Sequence, residues 1–153
     1  MADVEIDGHS LTIEGAISVA NGNNTAVLAQ SARRRMEESR KGVEQIIDSG
    51  EVVYGINTGF GAMSSVRIAG DDLEQLQSNL IKSHACGVGD LMNPEYVLLM
   101  MVFRANSLAK GVSGIRPKIV DLLLGMVYYG IAPFIPRIGS LGASGDLAPL
   151  SHM

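Results

Sequence analysis

Cysteine is nearly absent from this sequence, since the 153 residues include only Cys86. A single cysteine cannot form an internal disulfide, so the chain is unlike the small secreted proteins that disulfides hold together. Three scattered histidines do not have the spacing of zinc ligands, and we therefore expect no metal site. The sequence thus predicts a cytoplasmic protein without a structural metal.

Basic residues are fewer than acidic ones, 12 against 16, which gives a formal net charge of −4. The only local basic run, residues 33–35, is followed at once by Glu37 and Glu38, so no nucleic-acid partner is expected. The longest apolar run, residues 96–103, is far shorter than the roughly 18 residues of a bilayer-spanning helix. No signal peptide is visible either, and we expect no membrane partner.

Glycine, by contrast, is abundant: 18 of the 153 residues are glycine, which is clearly above the typical share of roughly 7%. Apolar residues make up 46% of the chain and charged residues 18%, a composition that supports a folded core. No repeat, low-complexity segment or linker interrupts it. We therefore predict a single domain over residues 1–153, with the glycines in loops.

The first third of the chain predicts both strands and a helix. The stretch "VEIDGHSLTIE" alternates apolar and polar residues around Asp7 and Gly8, which predicts a small β-hairpin. Thr25 is the predicted N-cap of a long charged helix that ends at Gly50. The stretch "EVVYGI", residues 51–56, is predicted to be a short strand.

The remainder predicts helices. One is expected to begin at residues 71–72 and to end near "SHACGVG". A second lies between Pro94 and Gly111, and a third between Pro117 and Gly130. The last two are apolar on most faces and therefore need partners, which predicts a mainly α protein whose helices join a larger bundle or an oligomer.

The segment "GSLGASGDLAPLS", residues 139–151, raises a chemical possibility. Without a side chain, Gly145 can bring its amide nitrogen unusually close to the carbonyl carbon of Ala143. Ring closure with loss of water, and loss of a second water from Ser144, would create an exocyclic methylene that accepts electrons. Asp146 is placed to assist the proton transfers.

Plainer interpretations stay open. Taken only as small residues, the same segment is a loop followed by a helix with Pro149 in its first turn. The stretch "EVVYGINTGFGAMS" places Gly-x-Gly after a predicted strand, as in nucleotide-binding proteins, but Ser64 replaces the third glycine and no Lys-Ser/Thr follows. A helical protein that only assembles, without catalysis, is a further alternative.

Residues 139–151 resemble the signature of the aromatic amino acid ammonia-lyases, the family of the histidine, phenylalanine and tyrosine ammonia-lyases and related aminomutases. Residues 53–68, 77–90 and 103–117 are similar to that family's N-terminal blocks, in the same order. The resemblance implies the N-terminal part of a mainly α, homotetrameric fold with Gly-rich active-site loops. Family members are considerably longer, so the C-terminal helical bundle is expected to be missing here.

The resemblance also implies a mechanism. Ala143, Ser144 and Gly145 would cyclise into 4-methylideneimidazole-5-one, with no external cofactor. Tyr54 would be the base that removes a β-proton, and His84 would contact the ring of the substrate. The implied reaction is conversion of L-histidine to urocanate and ammonia, with a tyrosine or phenylalanine lyase or an aminomutase as the alternative. Without the bundle, the chain alone is expected to stay uncyclised and inactive.

Overall fold

The computed structural model describes residues 3–59, 68, 70–140 and 147–153, with the backbone alone for residues 70, 71 and 73. The described part is mainly α, as predicted. Its elements in chain order are β1 (Asp3–Ile6), α1 (Ile13–Ala20), β2 (Thr25–Leu28), α2 (Gln30–Ser49), α3 (Gly70–His84), β3 (Val88–Leu91), α4 (Pro94–Leu108), α5 (Pro117–Tyr128), β4 (Pro136–Ile138) and α6 (Leu147–His152).

By its internal contacts the chain divides into two compact units. The first contains the residues up to Gly42 together with Met92–Phe134, and the second contains Val43–Leu91 and Ile135–Met153. The assignment of one domain to the whole chain stays a prediction.

The predicted N-terminal hairpin is wrong, because β1 pairs in parallel with β2 and the helix α1 connects them. The Asp7 carboxylate accepts hydrogen bonds of 2.8 Å from the backbone N–H groups of His9 and Ser10, and these bonds lower the pKa of Asp7 to about 2. The hydroxyl of Thr12 then accepts a bond from the N–H of Gly15 and caps α1. Local side-chain hydrogen bonds therefore start a helix where alternation predicted a second strand.

The predicted cap at Thr25 is also wrong, because Thr25 is the first residue of β2 and α2 begins five residues later, at Gln30. The long charged helix itself and its end are confirmed. Gly50 follows Ser49 with φ of +71°, a conformation that glycine adopts readily at the end of a helix.

The other predicted helices are confirmed, with α3 starting at Gly70. Asn93 accepts a 2.9 Å hydrogen bond from the N–H of Glu95 at the start of α4. Pro117 opens α5, and Gly130, with φ of +65°, follows its end. Pro149 lies in the first turn of α6.

The core of the first unit lies where α4 packs against α1 and α5, and α5 in turn packs against β2. Ala32 and Met36 of α2 are also buried in this unit. The fully buried residues on the helices and strands of the first unit are Ile6, Ala16, Ala32, Val97, Met101, Val102, Ala105 and Val120.

The second unit contains a short antiparallel pair, β3 with β4, which the sequence did not predict. In the same unit α3 packs against α6, and Ile135 and Ala148 are buried. Across both units, no helix in the described ranges is both long and apolar enough to cross a bilayer.

Candidate active site

Tyr54 lies in a tight turn instead of the predicted strand, so the prediction for residues 51–56 is wrong. The carbonyl of Val53 accepts a 3.1 Å hydrogen bond from the N–H of Ile56, which makes Tyr54 and Gly55 the two central residues of the turn. Gly55 has φ of +80°, as the third residue of a type II turn requires. The turn leaves the Tyr54 side chain 62% exposed.

Asn57 stabilises this turn through its side-chain amide. Its side chain is buried, at 4% exposure, and both its oxygen and its nitrogen form hydrogen bonds. Its Oδ1 accepts a 2.9 Å hydrogen bond from the N–H of Val53, and its Nδ2 donates a 2.7 Å bond to the carbonyl of Glu51. Its own carbonyl accepts a bond from the N–H of Ile68. Asn57 therefore fixes the backbone on both sides of Tyr54, a role that the sequence analysis missed.

His84 is the last residue of α3, and its neighbours determine its tautomer. Nδ1 lies 2.8 Å from the carbonyl oxygen of Leu80, which can only accept a hydrogen bond. The hydroxyl of Ser83 donates to the same carbonyl and lies 3.1 Å from Nδ1. Nδ1 therefore carries the proton in the neutral ring, and Nε2 has the free lone pair.

A small cavity of about 170 Å³ has His84 in its wall. Three segments line it: the C-terminal end of α3, the chain that leaves β4, and the first residues of α6. The described residues around it are Ser83, His84, Cys86, Gly139, Ser140, Leu147 and Ala148. The cavity thus joins His84 to the residues on both sides of segment 141–146.

The structure does not bring all the predicted site residues together. Ala143, Ser144, Gly145 and Asp146 lie outside the described residues. Tyr54 does not line the cavity of His84 in the described part of the chain.

Two further features bear on the alternatives. A second cavity, of about 360 Å³, lies in the first unit beside β2 and α5, but no predicted site residue lines it. Within the described ranges, no group of three or more His, Cys, Asp or Glu side chains is arranged to hold a metal ion. The nucleotide-binding alternative loses its structural context, because residues 51–56 form a turn and not the strand that the motif requires.

Residues 11–153 match the family of aromatic amino acid lyases. The chain belongs to this family. The family match covers the predicted site residues Tyr54 and His84 as well as the segment 141–146.

Individual relatives within the lyase family agree with this assignment. The chain is 50% identical over 98% of its length to a histidine ammonia-lyase of Geobacillus thermodenitrificans. The structure is similar to those of tyrosine aminomutase from Streptomyces globisporus, with a TM-score of 0.90 and 38% identity over 99% of the chain, and of histidine ammonia-lyase from Trypanosoma cruzi, with 0.87 and 38% over 98%. The chain spans 30% of the Geobacillus protein and 28% of each of the other two.

Proposed function

We propose that the full-length protein containing this chain is a histidine ammonia-lyase, which converts L-histidine into urocanate and ammonia. The observation that carries the proposal is the cavity that His84 shares with the residues flanking Ala143-Ser144-Gly145. The 50% identity to the histidine ammonia-lyase of Geobacillus thermodenitrificans supports the same substrate.

The prosthetic group of the proposal is 4-methylideneimidazole-5-one, formed from Ala143, Ser144 and Gly145. The described residue before this segment is closely packed, because a Cβ at Gly139 would lie 2.8 Å from Cα of Gly87 and would have no space. The group would supply an electrophile, so that the amino acid can lose a β-proton and its ammonium group without an oxidant. Asp146 would assist the proton transfers of ring formation.

His84 would orient the substrate. With Nδ1 donating to the carbonyl of Leu80, Nε2 accepts a hydrogen bond from a donor on the substrate. The imidazole N–H of histidine and the phenol of tyrosine are such donors, whereas the phenyl ring of phenylalanine has none. Tyr54 would accept the β-proton, and the Asn57 hydrogen bonds would hold its backbone in place.

A tyrosine-specific lyase or aminomutase is the second candidate. It is favoured by the same acceptor nitrogen on His84 and by the structural similarity to tyrosine aminomutase. A helical protein that assembles without catalysis is the candidate from another class.

A substrate assay on the full-length protein distinguishes these functions. L-Histidine, L-tyrosine and L-phenylalanine are supplied separately, and the absorbance of a conjugated acid and the release of ammonia are measured. We expect product from L-histidine, and a lower kcat/KM by roughly ten- to a hundredfold in His84→Leu, because the leucine offers no hydrogen-bond acceptor. His9→Leu, at an exposed histidine in the first unit, is the matched control.

Other outcomes assign the alternatives. Product from L-tyrosine alone supports the second candidate, and an isomer of unchanged mass identifies an aminomutase. No reaction with any of the three amino acids contradicts the proposal.

The proposal includes the homotetramer, the cytoplasmic location and the role in histidine catabolism that the family resemblance suggests. The apolar side chains exposed on the first unit support assembly, since Tyr128 and Phe134 are 64% and 80% exposed. Size-exclusion chromatography with light scattering tests the tetramer, and cell fractionation tests the location.

A further inference from the structure

Three segments of the second unit approach each other without space for additional side-chain atoms. They are the loop after α3, at Gly87, the end of β4, at Gly139, and the helix α6, at Ala148 and His152. A Cβ at Gly87 would lie 2.9 Å from Nε2 of His152, and a Cβ at Gly139 would lie 2.8 Å from Cα of Gly87 and 3.3 Å from Cβ of Ala148. The 2.8 and 2.9 Å contacts are closer than real Cβ atoms tolerate and the 3.3 Å contact is tight, so a side chain at either glycine would force its neighbours to shift.

A hydrogen bond joins two of these segments. The backbone N–H of Gly87 donates to Nε2 of His152 over 3.1 Å, and this contact is part-buried. Nε2 must therefore present its lone pair, which identifies the neutral ring with the proton on Nδ1. His152 thereby connects the last turn of α6 to the loop that follows His84.

The junction lies on both sides of the proposed reactive tripeptide. Gly139 precedes residues 143–145 in the chain, and Ala148 and His152 follow them. Because both sides contact the same residue, Gly87, the distance between the two ends of segment 140–147 is fixed by the junction. Ser140 and Leu147, the described residues at these ends, line the cavity that contains His84.

We propose that the Gly87–His152 hydrogen bond and the close approach at Gly139 form a clamp that promotes cyclisation of Ala143-Ser144-Gly145. His152 is a positioning residue in this proposal, since it acts by fixing the chain and does not react. The inference rests on the proposed function, because it requires that the ring forms.

The chemistry explains why fixed ends accelerate the reaction. The amide nitrogen of Gly145 bonds to the carbonyl carbon of Ala143 while its proton goes to the carbonyl oxygen. That oxygen leaves as water with the N–H proton of Ser144, and a C=N bond forms. Ser144 then loses its hydroxyl and its Cα proton as a second water, which leaves the exocyclic C=C bond. No oxidant is consumed.

An amide nitrogen is a weak nucleophile, so the rate depends on how often the two atoms meet in a reactive geometry. Closing a free loop costs conformational entropy, and tying its two ends together removes part of that cost before the reaction begins. A clamp at residues 139 and 148–152 therefore increases the rate without contacting the reacting atoms.

The test measures the intact mass of the full-length protein as a function of time after synthesis. His152→Leu removes the acceptor, and Gly87→Ala places a methyl group against His152 without requiring a left-handed backbone, since no positive φ occurs at Gly87. His152→Gln is the rescue variant, because its Oε1 occupies nearly the position of Nε2 and still accepts a hydrogen bond. Gly125→Ala is the matched control, because nothing lies within 4 Å of the added Cβ in the described part of the chain.

We expect the wild-type protein, His152→Gln and Gly125→Ala to lose two water molecules at similar rates. Loss from His152→Leu and Gly87→Ala should be slower, on the order of a hundredfold, as for other small displacements of reacting groups. Only protein of wild-type assembly size is measured, so that a general folding defect is not counted. His152→Leu and Gly87→Ala alter opposite sides of the Gly87–His152 hydrogen bond. If one of them fails to assemble, the other can still be compared with the wild-type protein.

Cyclisation of His152→Leu and Gly87→Ala at the wild-type rate overturns the clamp and leaves the proposed function intact. A His152→Gln variant as slow as His152→Leu overturns the role of the hydrogen bond. A wild-type protein that never loses the two waters overturns the proposed function, and this inference with it.

Discussion

Three consecutive arginines, residues 33–35, have different environments although the sequence gives no reason to distinguish them. Arg33 forms a bidentate ion pair with Asp121, with nitrogen–oxygen distances of 2.6 and 3.0 Å, and this pair raises the pKa of Arg33. Arg35 donates instead to the backbone carbonyls of Asp7 and Ala109, at 2.7 and 3.2 Å. The glutamates that follow the run at once in sequence provide neither of these contacts.

The difference predicts unequal losses of stability. The side chains of Arg33 and Asp121 are 31% and 46% exposed, and partly exposed pairs contribute about 0–1 kcal/mol. Arg35 joins the turn after β1 to the end of α4 through part-buried hydrogen bonds. A hydrogen bond from a charged group contributes about 1.5–3 kcal/mol to stability. Arg35→Ala should therefore lower the thermal midpoint of the full-length protein clearly more than Arg33→Ala. Equal shifts in a thermal scan would contradict this explanation.

Asn57 gives a second prediction at the scale of one residue. Asn57→Ala removes the two side-chain hydrogen bonds that hold the backbone around Tyr54. If Tyr54 is the base, its displacement should lower kcat by roughly ten- to a hundredfold, while KM changes little because His84 is unaffected. Asn79→Ala, at an exposed asparagine of α3, is the control. A variant with wild-type kcat would show that Tyr54 does not depend on Asn57.

At the scale of elements, sequence predicted those helices whose ends carry their own signals. Pro94, Pro117 and the glycines that follow α2, α4 and α5 act locally, so their effect can be deduced without tertiary information. The strands were not predictable in this way. β1 pairs with β2 across the helix α1, and β3 with β4 across more than forty residues, so alternation alone could not identify the partners.

The candidate site likewise contains residues that the sequence predicts and residues that only the fold reveals. The resemblance to the family's N-terminal blocks predicts roles for Tyr54 and His84, whereas Asn57 and His152 contact the backbone of other residues. Only the fold brings His152 to Gly87, 65 positions earlier in the chain. A motif in the sequence can indicate a candidate reactive side chain, whereas the residues that position it can be identified only from tertiary contacts.

The start of α4 allows a prediction for an element. The Asn93 side chain accepts the N–H of Glu95, one of the donors that the first helical turn cannot pair internally. Asn93→Ala should destabilise the protein by about 1 kcal/mol, and Asn93→Asp, which keeps the acceptor, should be nearly neutral. Thermal unfolding of the two variants side by side measures the difference. Equal destabilisation by alanine and aspartate would exclude the cap as the cause.

At the scale of the whole molecule, the first unit leaves several large apolar side chains exposed. Tyr128 and Tyr129 pack edge to face, with ring centroids 5.0 Å apart, yet they are 64% and 75% exposed. Ile131 and Phe134, in the residues that follow, are 53% and 80% exposed. Groups of this size commonly contact another protein surface. The chain spans 30% of the Geobacillus relative. In the proposed full-length tetramer, the rest of the polypeptide and the neighbouring subunits would cover these side chains.

The small share of its relatives that the chain spans leads to a prediction about ring formation. If the remaining polypeptide is needed to confine the second unit, then the 153-residue chain expressed alone should keep the mass of its unmodified sequence. The mass of the full-length protein should be two water molecules below the mass calculated from its own unmodified sequence. Co-expression of the missing part as a separate polypeptide should restore the loss, because packing and not chain continuity supplies the confinement. Replacing Phe134 by Ser in the co-expressed chain should weaken that restoration by reducing the apolar contact area. Loss of the two waters by the chain alone would instead show that the junction of Gly87, Gly139 and His152 confines the tripeptide sufficiently without the rest of the protein.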